Sequence, residues 1–208
     1  VSAGSGLLTG GTLTSPGISG HVASETFMVP YNDVPALNAL VHEKGREIAA
    51  IIVEPLAGNM GLVQPEPGYL AKLRHIADRC GALLIFDEVI DGFRFGLSSY
   101  ASRAGVKPDL ITLGKVIGGG LPLAAVGGSA VFMDELAPSG KIYQAGTLSG
   151  NPLAVAAGLK TLEVLERDNP YPRMARLGQR LAETVNTAAA SKGVPFHCAQ
   201  YVGEFTLL

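Results

Sequence analysis

Charge is scarce in this 208-residue chain: Asp, Glu, Lys and Arg make up 16 % of it and nearly cancel, leaving a formal net charge of −2. With no basic run among them, there is no electrostatic footprint for nucleic acid or for an anionic membrane. Cysteine is scarcer still. Cys80 and Cys198 stand far apart, at no spacing that suggests a disulfide framework or a zinc site, so a reducing, cytoplasmic setting is expected. The four histidines, His21, His42, His75 and His197, also lack ligand spacing; they read as surface or packing residues, and no metal is expected. No uninterrupted apolar run reaches membrane-spanning length. What the chain has is material for a core. Apolar residues are 47 % of it, which excludes disorder and allows one large core or a core with a small appendage.

The order of patterns predicts an α/β fold. Residues 1–24, with glycines at 4, 6, 10, 11, 17 and 20, read as loop. The stretch 32–45 has an Asn/Asp cap, an early proline and helical apolar spacing. Residues 47–55 and 82–89 are compact apolar runs of buried-strand type, separated by a helical pattern over 65–81 that stops at glycine. A short helix is expected within 97–105, a third strand at 110–114 and a fourth at 123–128. Alternation of this kind predicts a mostly parallel sheet with helices on both faces. Two longer helices over 151–168 and 171–193 follow, and 194–208 reads as strands of a smaller domain.

Ligands of such sheets sit beyond the carboxyl ends of the strands, and three strands here end on ionisable residues: Glu54, Asp87 with Glu88, and Lys115. A free lysine, with a pKa of roughly 10.4, is a poor nucleophile near neutrality; an apolar cleft would make its amine usable for Schiff-base chemistry. Glycines 118–120 would let a ligand approach the backbone. Taken alone, the stretch equally fits a snorkelling lysine before an ordinary glycine turn. Asp87 directly follows four apolar residues, where a carboxylate needs a positive partner such as a protonated heteroaromatic nitrogen; a strand-end aspartate capping a turn is the plainer reading. Four apolar residues before Asp-Glu also resemble the strand that orients Mg²⁺ in nucleotide hydrolases. That reading needs a glycine-rich phosphate loop ending in Lys-Ser or Lys-Thr, and none is present in these residues.

Ahead of the helix at 151, Gly146, Thr147, Ser149 and Gly150 cluster before Asn151-Pro152. Asn and Pro explain the helix start by themselves; the small residues before them suit a phosphate. A nucleophilic lysine, an aspartate for a ring nitrogen and a phosphate seat together match the needs of pyridoxal phosphate.

Three stretches, LLIFDEVIDGFR (83–94), KPDLITLGKVIGGGLP (107–122) and YQAGTLSGNPLA (143–154), resemble the signatures of class III, fold-type I pyridoxal-phosphate aminotransferases, and within them the glutamate-semialdehyde aminomutases. IIVEPLAGNMG (51–61) fits as well, and residues 3–17 resemble the mobile loop that covers the active site in that family. The resemblance implies that Lys115 carries pyridoxal 5′-phosphate and shuttles protons, and that Asp87 pairs with the ring nitrogen. It implies that Val89 packs on one ring face, with Asn59 near the ring's phenolic oxygen. Thr147 and Gly146 would bind the phosphate of a neighbouring subunit's cofactor, so a homodimer is expected. Glu54, and Ser5 on the covering loop, would support a small amino-acid-like substrate. The cofactor would pass through its pyridoxamine form, giving an amino group to one substrate carbon and retrieving it from the next. Residues 1–24 would be the lid that retains the intermediate, 25–158 the cofactor-binding large domain, and 159–208 linking helices and the beginning of a small domain.

Ile90-Asp91 stand where the family typically has Met-Thr, and Ser129 where a basic residue is usual; neither touches the cofactor core. The resemblance also implies that a substrate-carboxylate arginine and a ring-stacking aromatic lie upstream. A piece of a longer protein is therefore expected, which by itself would bind cofactor poorly.

Overall fold

The computed structural model describes residues 8–9, 12–13 and 19–208. Within the expected loop of 1–24, β1 (Leu8–Thr9) pairs antiparallel with β2 (Thr12–Leu13), and Gly20–Ser24 form the short helix α1. Gly10-Gly11 between the two strands is a two-residue hairpin signal, which a reading of the glycines as loop overlooks. Most of that stretch, Ser5 included, lies outside the described residues.

The helix α2 (Val34–Lys44) starts on Asp33, whose side chain accepts the Ala36 amide at 2.8 Å, and Pro35 occupies the first turn, where no N–H partner is needed. The strand β3 (Ala50–Val53) leads through a turn to α3 (Tyr69–Cys80). Leu70, Leu73, Ile76 and Ala77 form the buried stripe of α3. Gly81, at φ 69°, ends the helix, with the Ala82 amide bonding back to Ala77 O at 2.9 Å and that of Gly81 to Asp78 O at 3.3 Å. The chain then enters β4 (Leu83–Glu88), passes α4 (Tyr100–Ala104) and forms β5 (Leu110–Leu113) and β6 (Ala125–Gly128).

These four strands make one sheet in the order β3-β4-β5-β6; the first three are parallel and β6 is antiparallel to β5. The short connection after β5 explains the reversal, because a parallel crossover needs a dozen or more residues, usually with a helix. In β4 the pleat sends Leu84, Phe86 and Glu88 into the core, and Leu83, Ile85 and Asp87 to the other face. The core joins Leu84 and Phe86 to the α3 stripe, Leu37 of α2, and Phe95, Tyr100 and Ala101. Helices thus cover one face of the sheet; on the opposite face Ile52 and Val126 are exposed.

The helices α5 (Ala130–Met133), which the sequence pattern did not show, α6 (Pro152–Asp168) and α7 (Tyr171–Ser191) follow, then the hairpin β7 (Cys198–Tyr201) and β8 (Glu204–Leu207). α6 runs unbroken across the boundary expected at 158/159. The hairpin packs onto the main core: the Tyr201 ring meets Phe95 edge-on at 4.9 Å, and Ala199 and Val202 contact the same cluster. Tyr171, opening α7, donates to Phe93 O at 3.0 Å.

Candidate active site

Because β3, β4 and β5 are parallel, their carboxyl ends leave the sheet along one edge. The register sets Val53 beside Phe86, Asp87 beside Thr112 and Glu88 beside Leu113. Glu54 follows at the level of Asp87, and Lys115 stands two residues beyond Leu113.

The two adjacent carboxylates of β4 part company by strand alternation. Glu88 is fully buried and accepts the amides of Tyr100 (2.6 Å) and Ala101 (3.0 Å), holding the N-terminus of α4. Burial pushes its carboxyl up, and the two amides pull against that shift. Asp87 emerges half-buried on the other face. Its Oδ1 accepts the Val89 amide and the Thr112 hydroxyl, each at 3.1 Å. No described residue bonds Oδ2. One oxygen therefore orients the carboxylate, and the other is free for a cationic partner.

Lys115 has φ +43°, in the left-handed region that costs a non-glycine residue strain. Its side chain is exposed and makes no hydrogen bond or ion pair with any described residue. The preceding Gly114 is extended, and a Cβ there would stand 3.3 Å from Val89 Cγ1, so Val89 packs against the backbone just ahead of Lys115. A 3-10 turn, Lys115–Gly118, ends at Gly119 with φ +58°. A Cβ on Gly119 would collide with Thr161 Oγ1 of α6, and one on Gly158 would lie 2.5 Å from Ile117 O. The glycine after this turn therefore admits α6 to the lysine's own backbone, where the sequence suggested room for a ligand.

Beyond β3 the turn carries the next pair. Asn59 Nδ2 donates to Glu54 Oε1 at 2.7 Å and its amide reaches Glu54 Oε2 at 3.4 Å. The two residues expected to serve ring and substrate separately hold one another. Gly146 and Thr147 lie on the exposed segment before α6. The Ser149 amide bonds to Gly146 O at 3.0 Å, closing a turn beside a cavity of about 290 Å³ that Pro122, Leu123, Gly146, Ser149 and Gly150 help to line.

Three residues of this edge escaped assignment from sequence. Thr112 orients Asp87, and strand alternation opposite Asp87 would have found it. Asp91, noted only as a departure from the family pattern, is 1 % exposed, with Oδ2 accepting the Leu56 amide at 3.0 Å. Glu204 comes from the far end of the chain, with Oε2 3.9 Å from Arg94 Nε. Burial pushes the Glu204 carboxyl up and Glu54 adds to this, while Arg94 and Lys115 pull it down. No local pattern in the sequence announces that approach.

The residues present fit pyridoxal phosphate. The free Oδ2 of Asp87 suits a protonated ring nitrogen, the unpartnered amine of Lys115 suits a carbonyl carbon, and Val89 offers an apolar surface. The turn closed at Gly146 before the N-terminus of α6 suits a phosphate.

Comparison with known proteins agrees with this chemistry. The family model described as "Aminotransferase class-III" matches residues 9–197. A glutamate-1-semialdehyde 2,1-aminomutase of Nitrosospira multiformis is 52 % identical over 203 residues, covering 98 % of this chain and 48 % of that protein. Among solved structures, an omega-transaminase from Sphaerobacter thermophilus superposes with a TM-score of 0.87 at 35 % identity, over 94 % of this chain and 45 % of the other. A glutamate-1-semialdehyde aminomutase from Pseudomonas aeruginosa PAO1, in complex with PMP, gives 0.76 at 30 % identity, over 88 % and 42 %. The chain spans about half the length of the curated relatives it matches.

Proposed function

Since this chain belongs to the class III aminotransferase family, a family of pyridoxal-phosphate enzymes with the fold-type I architecture, we propose that it serves as a glutamate-1-semialdehyde 2,1-aminomutase, of which it matches about half the length. The reaction is conversion of glutamate 1-semialdehyde to 5-aminolevulinate, a tetrapyrrole precursor, in the cytoplasm. The 52 % identity to a protein of that name across nearly the whole chain carries the reading. The geometry of Asp87, Val89 and Lys115 supports it.

When bound, the cofactor supplies an electron sink and a carrier for the amino group. The chain's residues do the rest. Lys115 would hold the cofactor through its aldehyde carbon, and its freed amine would move protons between carbon atoms of the reacting molecule. The left-handed backbone and the packing of α6 on its turn fix where that side chain leaves the chain. Asp87, oriented by Thr112 and the Val89 amide, keeps the ring nitrogen protonated through Oδ2. Val89 covers a ring face and excludes water from it. Glu54 and Asn59, bonded to each other, orient the polar groups of substrate and ring as one unit. Gly146 and Thr147 bind phosphate for a second copy of the chain, which accounts for a segment exposed before α6. Exposed Tyr143, Leu148 and Leu153 around that segment support the homodimer.

A class III transaminase acting between two molecules is the second reading, favoured by the TM-score of 0.87 to the omega-transaminase. The full-length protein, given glutamate 1-semialdehyde and no other amino acceptor, separates the two. The mutase forms 5-aminolevulinate, and Lys115→Ala abolishes it; a strict need for a second amino acid as acceptor would establish the transaminase.

A further inference from the structure

One buried acid of this edge has no role in the chemistry above. Asp91 sits in the turn after β4, 1 % exposed, and reaches across to the turn after β3, where Oδ2 accepts the Leu56 amide at 3.0 Å. Leu56 lies between Glu54 and Asn59. Among the described residues, Asp91 Oδ1 is buried with no hydrogen-bond partner, and so is Glu204 Oε2. An unpaired buried carboxylate oxygen is costly unless the group gives up its charge.

We propose that Asp91 is a positioning residue: through its bond to the Leu56 amide it fixes the turn that presents Glu54 and Asn59, and so sets how tightly the site holds its substrate. This rests on Glu54 and Asn59 facing the substrate, as proposed above. The titratable groups facing Asp91 are Glu54 beyond β3, Glu88 on β4, Glu204 on β8, Tyr31 ahead of α2 and Tyr100 on α4, with Arg94 beside them, its Nε 3.9 Å from Glu204 Oε2. Burial, followed by repulsion from Glu204, Glu88 and Glu54, pushes the Asp91 carboxyl up to about 8, against the pull of the Leu56 amide. At neutrality it is a neutral acid that accepts one backbone N–H. Above about pH 8 it becomes a charge among three glutamates, and the repulsion falls on Glu204, Glu88 and Glu54.

Asparagine mimics the neutral acid and keeps an oxygen for the Leu56 amide; alanine removes both. The test compares wild type, Asp91→Asn and Asp91→Ala in the full-length, cofactor-loaded protein, reading two things. The first is hydrogen exchange of the peptide covering 54–60, corrected for intrinsic exchange rate, between about pH 6 and 9.5. Asp91→Asn is expected to hold its protection across this range, where the wild type loses protection as pH rises to about 8 and levels off above it. Asp91→Ala is expected to lose protection of Leu56 throughout. The second is steady-state kinetics: Asp91→Ala lowers kcat/KM about tenfold, mostly through KM, and Asp91→Asn restores it to within about threefold. Equal protection in wild type and Asp91→Ala would overturn the proposal, and so would Asp91→Asn behaving as alanine does. Should the alanine variant not fold, the loss of wild-type protection on the way up to about pH 8 and its absence in Asp91→Asn decide the matter. The exchange readout needs no substrate, so a failure of the assigned reaction leaves it standing, whereas unchanged exchange with normal turnover refutes Asp91 alone.

Discussion

At the residue scale, the edge of this sheet separates carboxylates that look alike in sequence. Asp87 and Glu88 are neighbours in the chain, yet the pleat gives one an open oxygen and the other two backbone amides in the core. Asp91 shows what such burial does to stability. Its carboxyl is pushed up to about 8, so between the ordinary carboxylate range and that pH the folded state keeps a proton the unfolded chain has released. Stability is therefore lost as pH rises through this window, and the loss levels off above it. Asp91→Asn, with no proton to release, is expected to show a shallower fall of Tm between about pH 5 and 8 than the wild type; equal slopes would contradict the assignment. The sequence made Lys115, Asp87 and Glu54 legible because each ends an apolar strand, where an ionisable side chain is conspicuous. It hid Asp91 and Glu204, since their surroundings are assembled from turns and from a hairpin more than a hundred residues away.

At the element scale, the long helices and the central strands were legible because each carries its own signal: the stripe of α3 with its glycine stop, the Asn151-Pro152 start of α6, and the apolar runs of β4 and β5; α1, α5 and the β1–β2 pair, all short, were not. The direction of β6 was not, because it is set by the length of the link from β5 and not by any residue in the strand. Nor was the use of the glycines after Lys115. Gly119 has φ +58° and sits against Thr161 and Ala157 of α6, so a side chain there meets both backbone strain and a helix. Gly119→Val is expected to cost about 1–3 kcal/mol through overpacking alone, read as a lower midpoint in denaturant. It is also expected to weaken cofactor retention, because the displaced turn begins at Lys115. A variant of wild-type stability would show that α6 does not constrain the lysine.

At the scale of the whole molecule, Lys115 and Asp87 stand on the sheet edge while Gly146 and Thr147 lie exposed before α6, and the proposed homodimer pairs the two sets across subunits. A second copy would bring them together, and mixing variants checks it. Lys115→Ala and Thr147→Ala proteins, each inactive, would form hybrid dimers with one intact site, recovering about a quarter of wild-type activity after random exchange; no recovery would place Thr147 in the same subunit's site. The central claim, amino transfer within one molecule under Lys115, is tested most directly by turnover of the full-length protein on glutamate 1-semialdehyde alone. The account predicts many turnovers to 5-aminolevulinate with no added amino acceptor, and none in Lys115→Ala. A reaction that stops after one equivalent and resumes only when an acceptor is supplied would contradict it.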